Sequence, residues 1–249
     1  MSTGVFDPVA DLYERYRTGF SPELFATLEE HGARSGARVL DVGCGTALAG
    51  AELVRHGCEL FGVDISEAML TYARQRVPEG RFSVAAAESL PFADASFDVA
   101  MVSQAFHWFD RVRATREMLR VVRPGGLIAV FWKQIMRGDR VRVIRDEVAR
   151  ELGFEPFEEL VAPDGLATLE SSPLCDQKLC VIPWIVTMTG QQFLGYERSR
   201  ARARNKFAQA LDAYLQLLGE RLAPLEEPLN VSYVQYLFLG KRPPPVTST

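Results

Sequence analysis

Short apolar runs alternate with longer amphipathic segments between residues 38 and 132, and this alternation is the feature that most limits the possible folds. It is typical of βαβ units that feed a parallel sheet, because parallel strands are buried on both faces and are therefore short and apolar. The predicted strands are Arg38–Val42, Glu59–Val63, Arg81–Ala85, Phe97–Ser103 and Gly126–Trp132. The sequence therefore predicts an α/β fold.

Helix start and stop signals lie between and before these strands. Ser66 is a predicted N-cap for a helix that ends at Arg76, before Pro78. Ser21 with Pro22 has the character of an N-cap followed by a first-turn proline. The other segments predicted to be helical are 6–15, 22–30, 47–56, 111–122 (ending at the turn 123–126) and 139–152.

After Trp132 the regular alternation of strand and helix ends. Residues 154–172 contain two prolines and are predicted to be a loop. The remaining predictions are a strand over 179–187, at least two helical pieces over 191–222, a last strand over 230–239 and a frayed tail over 243–249.

The composition is that of an ordinary globular protein. Of the 249 residues, 47% are hydrophobic and 24% are charged, which excludes a disordered, collagen-like or coiled-coil chain. No apolar run reaches the length of a membrane span, and four cysteines without a signal peptide favour a reducing compartment. We predict a cytoplasmic protein with a single domain over 1–249, divided into an N-terminal helical lid (1–35), a core (36–135), substrate-side helices with a cap (136–230) and the last strand (231–241).

A glycine loop follows the first strand, in the run Asp41-Val-Gly-Cys-Gly-Thr46. Glycines here let a ligand approach the backbone and the helix N-terminus. Asp64, after the second strand, can accept hydrogen bonds from both hydroxyls of a ribose. A dinucleotide fingerprint would need a third glycine at Leu48, so no pyrophosphate cradle is predicted. Asp41 suits instead a ligand with an ammonium group and a sulfonium.

Five motifs in order make the chain resemble the class I S-adenosylmethionine-dependent methyltransferases. They are Asp41–Thr46, Val63-Asp64, Ala87–Phe92, Phe97–Val99 and Arg123–Gly126. Each motif alone is weak, but a chance match to all five in order is improbable. The resemblance implies a Rossmann-like, seven-stranded, mostly parallel sheet of order 3-2-1-4-5-7-6, with an antiparallel last strand, helices on both faces and a helical cap insertion. It also implies S-adenosylmethionine as cofactor and S-adenosylhomocysteine as product.

The resemblance further implies the residues of the cofactor site. In this family the glycine loop passes under the methionine and ribose, the second-strand acid holds the ribose, and the loop after strand three meets the adenine. The implied contacts are Asp41, Gly43, Gly45, Asp64, Ile65, Ala87, Glu88 and Gln104. Ala47 replaces a frequent third glycine, and we expect it to be tolerated. Ala86 replaces a frequent acid, whose place Glu88 would take.

The N-terminal segment offers two further cofactor contacts. Residues 13–20 are similar to a Tyr-x-x-x-Arg-Pro-x-Tyr-Pro stretch of a small-molecule subgroup that includes trans-aconitate-type methyltransferases. That similarity implies that Tyr13 closes the site and that Arg17 pairs with the methionyl carboxylate. Thr18 and Phe20 depart from the pattern. The alternative is an amphipathic helix that only packs.

The run Ser103-Gln-Ala-Phe-His-Trp-Phe109 follows the fourth strand and is therefore predicted at the carboxyl edge of the sheet, where open α/β folds bind ligands. The same subgroup has a similar run, which implies that His107 lies beside the transferred methyl. His107 is the predicted catalytic residue, as a base or as an orienting group, and Phe20, His107 and Trp108 are the predicted acceptor contacts. The alternative for His107 is a packing histidine beside Trp108.

The predicted cap carries four arginines, at positions 198, 200, 202 and 204, as two i,i+4 pairs on a helix. Such charges are usually a solvated face, but an inward-turned pair would favour a carboxylated acceptor. Aromatic residues could line an apolar pocket or belong to the core: Phe6, Phe20, Phe106, Trp108, Trp184, Phe193 and Tyr196. Cys175 and Cys180 lack zinc-ligand spacing, so no metal is predicted.

These observations predict methyl transfer from S-adenosylmethionine to a small-molecule acceptor, with O-methylation of a carboxylate or hydroxyl favoured. The acidic balance, 28 basic against 32 acidic residues, gives no general attraction for nucleic acid. We predict no membrane partner and a monomer or homodimer. The alternatives are a cofactor-binding relative that does not methylate, and an RNA or protein methyltransferase that uses the 198–204 face.

Overall fold

The computed structural model describes residues 7–157 and 165–245. Seven strands form one sheet in the order β3-β2-β1-β4-β5-β7-β6. Their bounds are β1 Arg38–Val42, β2 Glu59–Asp64, β3 Arg81–Val84, β4 Phe97–Ser103, β5 Val122–Ile135, β6 Cys175–Met188 and β7 Leu229–Lys241. The pairs β3–β2, β2–β1, β1–β4 and β4–β5 are parallel. The predicted strand order is confirmed.

Strand β7 runs against its two neighbours. The Gly125 amide donates to the Arg242 carbonyl and the Met136 amide to the Ser232 carbonyl, each at 2.8 Å. The start of β5 therefore lies beside the end of β7, and the end of β5 lies beside the start of β7. On the other side of β7, Cys175 Sγ contacts the Lys241 carbonyl at 3.5 Å, and the Thr187 side chain forms a 2.8 Å hydrogen bond with the Asn230 side chain. Strands β7 and β6 are therefore antiparallel as well. The predicted antiparallel last strand is therefore confirmed.

The helices begin at residues with the expected capping chemistry. Ser21 and Ser66 each accept a backbone amide three residues on, at 3.3 and 3.2 Å, and Pro22 opens its helix. Asp139 accepts the Val141 amide at 2.9 Å. The helices are α1 Ala10–Tyr16, α2 Pro22–His31, α3 Gly50–Arg55, α4 Glu67–Arg76, α5 Arg111–Val121, α6 Arg140–Glu151, α7 Leu166–Glu170, α8 Gly190–Ser199, α9 Ala201–Phe207 and α10 Leu211–Leu222; short 3₁₀ turns span Asp7–Val9, Phe106–Trp108 and Ala208–Ala210.

Several predicted bounds are wrong, among them the start of β6, which is Cys175 and not residue 179. Helix α3 begins at Gly50 and not at Ala47, because Ala47 has a left-handed φ of +55° that no α-helix contains. The predicted turn 123–126 is a bulge inside β5, since Val122 pairs with Phe97 and Leu127 with Val99. The predicted loop 154–172 contains helix α7.

Some predictions fall on residues outside the described ranges. These are the start of the first predicted helix at Phe6, residues 158–164 of the predicted loop and residues 246–249 of the tail. Within the described ranges, no helix is long and apolar enough to cross a bilayer.

The chain divides into two compact units. The larger unit comprises Gly19–Lys133, Val161–Ile182 and Gln235–Thr249, and the smaller unit comprises Met1–Thr18, Gln134–Leu160 and Pro183–Val234. The predicted single domain with its four segments stays a prediction.

In the larger unit, successive strand residues enter cores on opposite faces of the sheet. Leu40 packs in one core with Met118 of α5, whereas Val39 packs in the other with Leu24 and Leu28 of α2. This burial on both faces explains why the strands read as apolar runs in the sequence.

The smaller unit has its own core, built from helices α6, α8, α9 and α10 with the adjoining parts of the last strands. Phe193 of α8 and Tyr214 of α10 are fully buried there, and Tyr214 stacks on Phe207 with ring centroids 3.8 Å apart. The core accounts for Phe193 and Tyr196 of the predicted aromatic set, and Phe106 is buried in the core of the larger unit.

Candidate functional site

The glycine loop leaves the carboxyl end of β1 through three left-handed residues. Gly43, Gly45 and Ala47 have φ values of +69°, +54° and +55°. A Cβ atom on Gly43 would lie 2.8 Å from Ala105 Cβ and 2.9 Å from the Phe109 ring, so Gly43 is required by packing as well as by φ. A Cβ on Gly45 would meet nothing within 4 Å, so this glycine borders open space. The loop thus has one packed and one open glycine.

Asp64 ends β2 and is held by the glycine loop. The Gly45 amide donates to its Oδ2 and the Ser66 amide to its Oδ1, each at 2.9 Å. The Gly43 and Cys44 amides donate to the Val63 carbonyl at 2.8 and 3.0 Å. The Gly45 and Ser66 amides fix the orientation of the Asp64 carboxylate at the end of β2.

Asp41, on β1, is completely buried. Neither of its carboxyl oxygens has a hydrogen-bond partner of ordinary geometry. Burial, and then the negative charge of Asp64, raise the pKa of Asp41 to about 8, and the Gly50 amide opposes part of this rise. The side chain is therefore a protonated acid near neutral pH, and a positively charged ligand would favour its ionised form. An orphaned buried acid and an open glycine fit a cationic cofactor.

The loop after β3 holds the other predicted cofactor contacts. Ala87 is buried, and Glu88 is half-buried with its Oε1 accepting the Asp110 amide at 2.7 Å. Ile65 is half-buried between Asp64 and Ser66. One oxygen of Glu88 is thus already used to hold the start of α5.

The loop after β4 carries His107 and is fixed at several points. Gln104 has a φ of +54°, its amide donates to the Phe131 carbonyl and its side chain to the Lys133 carbonyl, each at 3.0 Å. Phe106 is fully buried, and His107 is half-buried with its ring centroid 5.0 Å from that of Trp108. The turn that carries the imidazole is therefore held by these hydrogen bonds, and its Ala105 contacts the packed glycine of the β1 loop.

Lys133, near the end of β5, was missed by sequence reasoning. Only 7% of it is exposed, its ammonium donates to the Gly19 carbonyl, and it lies 5.0 Å from the centroid of the Phe20 ring. Phe20 packs edge-on against Phe131 at 4.9 Å. Its burial had no signal in the sequence, because Lys133 follows the predicted strand, which ends at Trp132.

Tyr13 and Arg17 lie in the smaller unit. The Arg17 guanidinium carbon is 4.7 Å from the Tyr13 ring centroid and 5.1 Å from that of Tyr196, and the group donates to the Ser199 carbonyl at 3.4 Å. The buried Nε of Arg17 has no hydrogen-bond partner. Arg17 is thus placed between two rings with donor capacity to spare.

The prediction that the four cap arginines share one helix is wrong. Helix α8 ends at Ser199, and Arg200 adopts an extended conformation (φ −81°, ψ 119°) before α9 begins. Arg198 therefore points to solvent and pairs with the exposed Asp212 at 2.9 Å, whereas Arg200 turns inward onto buried Glu197 at 2.6 Å. The break separates a solvated arginine from a buried one.

Within residues 7–157 and 165–245, the cysteines and acids give no metal centre. All four cysteines are free thiols. Among the residues that the structure describes, no group of three or more His, Cys, Asp or Glu side chains is arranged to hold a metal ion.

Comparison with known proteins places this geometry in a family. A family model described as a methyltransferase domain matches residues 40–130. A protein of Mycobacterium tuberculosis described as an uncharacterized methyltransferase is 31% identical over 220 residues, covering 86% of this chain and 85% of that protein. A malonyl-[acyl-carrier protein] O-methyltransferase of Pectobacterium atrosepticum is 36% identical over 129 residues, 51% of this chain and 48% of that protein.

Two solved structures share the fold. A protein of Anaeromyxobacter dehalogenans assigned to the type II methyltransferases has a TM-score of 0.72 and 26% identity, covering 92% of this chain and 99% of that one. The phosphoethanolamine N-methyltransferase 2 of Haemonchus contortus, in complex with S-adenosylhomocysteine, has a TM-score of 0.56 and 20% identity, covering 98% of this chain and 61% of that one. The chain therefore belongs to the class I S-adenosylmethionine-dependent methyltransferases, and S-adenosylmethionine is its cofactor.

Proposed function

We propose that this methyltransferase transfers a methyl group to an oxygen atom, carboxylate or hydroxyl, of a small-molecule acceptor. The observation that carries the proposal is the rigid His107 turn, whose Ala105 packs directly against Gly43 of the cofactor loop. The turn that carries His107 thus contacts the loop proposed to bind the cofactor, which supports a role for this polar ring near the transferred methyl group. The identity shared with an O-methyltransferase, 36% over 129 residues, supports oxygen as the acceptor atom.

The cofactor contacts are part of the proposal. Asp64 would accept the ribose hydroxyls, and the open side of Gly45 would admit the ligand to the backbone. Asp41 would face the positive end of the cofactor. Ile65, Ala87, Glu88 and Gln104 complete this set, and the resemblance of the N-terminal segment assigns Tyr13 and Arg17 to the methionine end.

The chemistry needs position more than acid–base help. When bound, S-adenosylmethionine would supply a methyl group: the bond between that carbon and the sulfonium sulfur breaks, a bond from the carbon to the acceptor oxygen forms, and the sulfur remains as the neutral thioether of S-adenosylhomocysteine. His107 would take the proton of a hydroxyl acceptor, a role worth roughly 10²- to 10⁴-fold in rate. For a carboxylate acceptor no proton is lost, and His107 would only orient the oxygen. Phe20 and Trp108 would complete the acceptor contacts.

The test has two stages on the full chain. Isothermal titration with S-adenosylmethionine and S-adenosylhomocysteine measures cofactor binding, and S-adenosylhomocysteine release is then measured with panels of small carboxylates, phenols and amines. Release with an oxygen acceptor supports the proposal. Release with amines alone, or with no member of the panel, contradicts it.

His107→Asn separates the two roles of the histidine, with His56→Asn as the matched control because His56 pairs with Glu29 and Glu52 outside this site. With a hydroxyl acceptor we expect kcat to fall at least 100-fold in His107→Asn, within the range for a lost general base. With a carboxylate acceptor we expect a fall of only a few-fold, because asparagine still donates a hydrogen bond. Equal effects of both substitutions would contradict an active-site role for His107.

A further inference from the structure

Three consecutive residues near the end of β5, Phe131, Trp132 and Lys133, support two segments of the larger unit at once. All three are buried. Successive side chains of a strand point to opposite faces of the sheet, so Phe131 and Lys133 share one face and Trp132 lies on the other. Phe131 and Trp132 accordingly belong to the two different cores of the larger unit. This part of β5 can therefore hold one segment on each face.

On the first face, Phe131 and Lys133 hold the segment that leads into α2. The Lys133 ammonium donates to the Gly19 carbonyl and lies 5.0 Å from the centroid of the Phe20 ring, a distance at which a ring attracts a cation. The Phe131 ring meets the Phe20 ring edge-on, with centroids 4.9 Å apart. Phe20 is thus held by a cation, by an aromatic ring and through the carbonyl of the residue before it.

The same three residues hold the turn that follows β4. The Gln104 amide donates to the Phe131 carbonyl and the Gln104 side chain to the Lys133 carbonyl, each at 3.0 Å. On the second face, the Trp132 ring packs against the Phe106 ring, with centroids 6.3 Å apart. The turn that carries the proposed catalytic histidine is therefore fixed to the same part of β5, by contacts that do not involve the lysine ammonium.

Burial distinguishes the supporting residues from the side chains that they hold. Phe20 and His107, which are proposed acceptor contacts, are each half-buried and keep part of their surface open. Lys133 is only 7% exposed. An ammonium is costly to bury unless it is held by partners, and an apolar side chain would fill a core position at lower cost. The contacts of Lys133 with the Gly19 carbonyl and the Phe20 ring therefore explain this lysine better than packing does.

We propose that Lys133 is a positioning residue for the methyl acceptor, which acts by fixing Phe20 on the part of β5 that also fixes the His107 turn. The proposal rests on the proposed function, because Phe20 and His107 are taken as acceptor contacts. It adds the residue that sets Phe20 relative to His107. A binding site needs such support, since its contact residues recognise a ligand only when neighbouring groups lock their geometry.

Amide hydrogen exchange on the full chain, without any acceptor, tests the hold on Phe20. Lys133→Met removes the ammonium but keeps an unbranched side chain. Lys241→Met is the matched control, because the Lys241 side chain is 40% exposed and pairs with Asp176. We expect Lys133→Met to raise exchange about fivefold in peptides that cover residues 18–25, by local opening, and to leave peptides over 103–108 unchanged. Lys241→Met should change neither segment.

Kinetics with an oxygen acceptor found in the release assay tests the consequence for binding. Lys133→Met should raise the acceptor KM about tenfold, the loss expected from one desolvated cation–π contact. The kcat value should change less than about threefold, because the His107 turn keeps its own bonds to β5. Affinity for S-adenosylmethionine, measured by isothermal titration, should stay the same. Lys241→Met should change none of these values.

A double-mutant cycle shows whether Lys133 acts through Phe20. Phe20→Leu should raise the acceptor KM by a similar factor, and adding Lys133→Met should raise it less than about twofold further, because the ammonium then has no ring to hold. If Lys133→Met does not fold, Lys133→Gln takes its place, with an expected KM rise of about threefold because its amide is shorter and uncharged.

The two kinds of measurement separate the possible failures. Unchanged exchange over residues 18–25 in Lys133→Met would overturn the proposal whatever the acceptor is. So would a fall in kcat at constant KM, a loss of cofactor affinity, or effects of Lys133→Met and Phe20→Leu that multiply in full. Failure of the proposed function would appear in the wild-type chain, as absence of methyl transfer to oxygen. It would remove the acceptor role of Lys133 but not the exchange result.

Discussion

The glycine loop of the larger unit and the charged cluster around Phe157 in the smaller unit (Arg145, Arg200, Lys206 and Glu197) are built by opposite means. Around the loop, the ionisable groups are two acids, Asp41 and Asp64, and the geometry comes from backbone amides and left-handed residues. In the cluster, arginines contact a buried carboxylate and an aromatic ring, and the geometry comes from side chains that are remote from one another along the chain.

This difference follows from how each region is encoded in the sequence. A loop that lets a ligand approach the backbone closely needs only one short contiguous motif. A group of buried ion pairs needs individually placed side chains, which can come from anywhere in the chain. Substitutions should therefore affect the two regions in different ways.

The largest effect is expected from Glu197→Ala in the cluster. Removing this buried carboxylate takes away the 2.6 Å partner of Arg200 and one of the two acids near Arg145, so we expect the free energy of unfolding to fall by about 3 to 5 kcal/mol. Asp212→Ala, which removes the exposed partner of Arg198, should change it by less than about 0.5 kcal/mol. Urea unfolding measures both. Equal stabilities of the two variants would remove the contrast between buried and surface pairs.

Asp64→Ala should weaken S-adenosylmethionine binding about 100-fold, or ~2.7 kcal/mol, because the ribose acceptor and the anchor of the Gly45 amide are both lost. Asp64→Asn should weaken S-adenosylmethionine binding less than Asp64→Ala, because asparagine keeps one acceptor oxygen. Glu67→Ala, an exposed acid at the start of α4, is the control for the change in charge. Unchanged cofactor affinity in Asp64→Ala would count against the ribose assignment.

Asp41 should make the unliganded protein less stable as the pH rises. Its folded pKa of about 8 lies above the ordinary aspartate pKa of 3.8 that applies in the unfolded chain, so its stabilising contribution is complete below pH 3.8 and is lost as the pH rises towards 8. Between pH 6 and 7.5 this amounts to a fall of about 2 kcal/mol, which Asp41→Asn should abolish. Urea unfolding across this range, without cofactor, measures the slope.

The same residue predicts a proton linkage in binding. The positive sulfonium of S-adenosylmethionine should favour ionised Asp41, so its binding should release more protons than binding of S-adenosylhomocysteine, which lacks that charge. Titration in buffers of different ionisation enthalpy gives the number of protons. Identical release for both ligands, or release that persists in Asp41→Asn, would show that Asp41 does not face the sulfonium.

The smallest effect is expected from Ala47→Gly. Ala47 holds a left-handed φ of +55°, which costs a residue with a Cβ atom about 1 kcal/mol, so glycine should raise the free energy of unfolding by about 0.5 to 1 kcal/mol. Ala49→Gly is the matched control, because Ala49 lies two residues on with a helical φ of −78° and should be destabilised by glycine. A stabilising effect at both positions would refute the conformational explanation.

Much of the larger unit could be predicted because its signals are local. Buried strands, serine caps and the glycine loop each occupy a few consecutive residues, and their order implied the sheet through the family resemblance. The predicted bounds were wrong where contacts in the folded chain imposed a backbone conformation that the local sequence pattern does not indicate. Ala47 follows the loop geometry and not its helical neighbours, and the glycines at 125 and 126 are accommodated as a bulge because β4 pairs on both sides of them.

The cluster could not be predicted in the same way. Four arginines two residues apart suggested one amphipathic helix, but the break at Arg200 sends neighbouring arginines to opposite environments. Glu197 and Lys133 gave no signal, since a single charged residue in a sequence is normally solvated. Their burial depends on partners such as Tyr214 and the Gly19 carbonyl, which are distant along the chain.

The sequence by itself determined the α/β class, the strand positions, the cofactor family and the acids that follow β1 and β2, because all of these depend on short-range periodicity and contiguous motifs. Only the tertiary structure decided that Asp41 is a protonated buried acid, that Asp64 is oriented by two amides, and that Arg200 joins Arg145 and Lys206 around Phe157. Charge state and pairing depend on burial and on distances between remote residues, and these exist only in the folded chain.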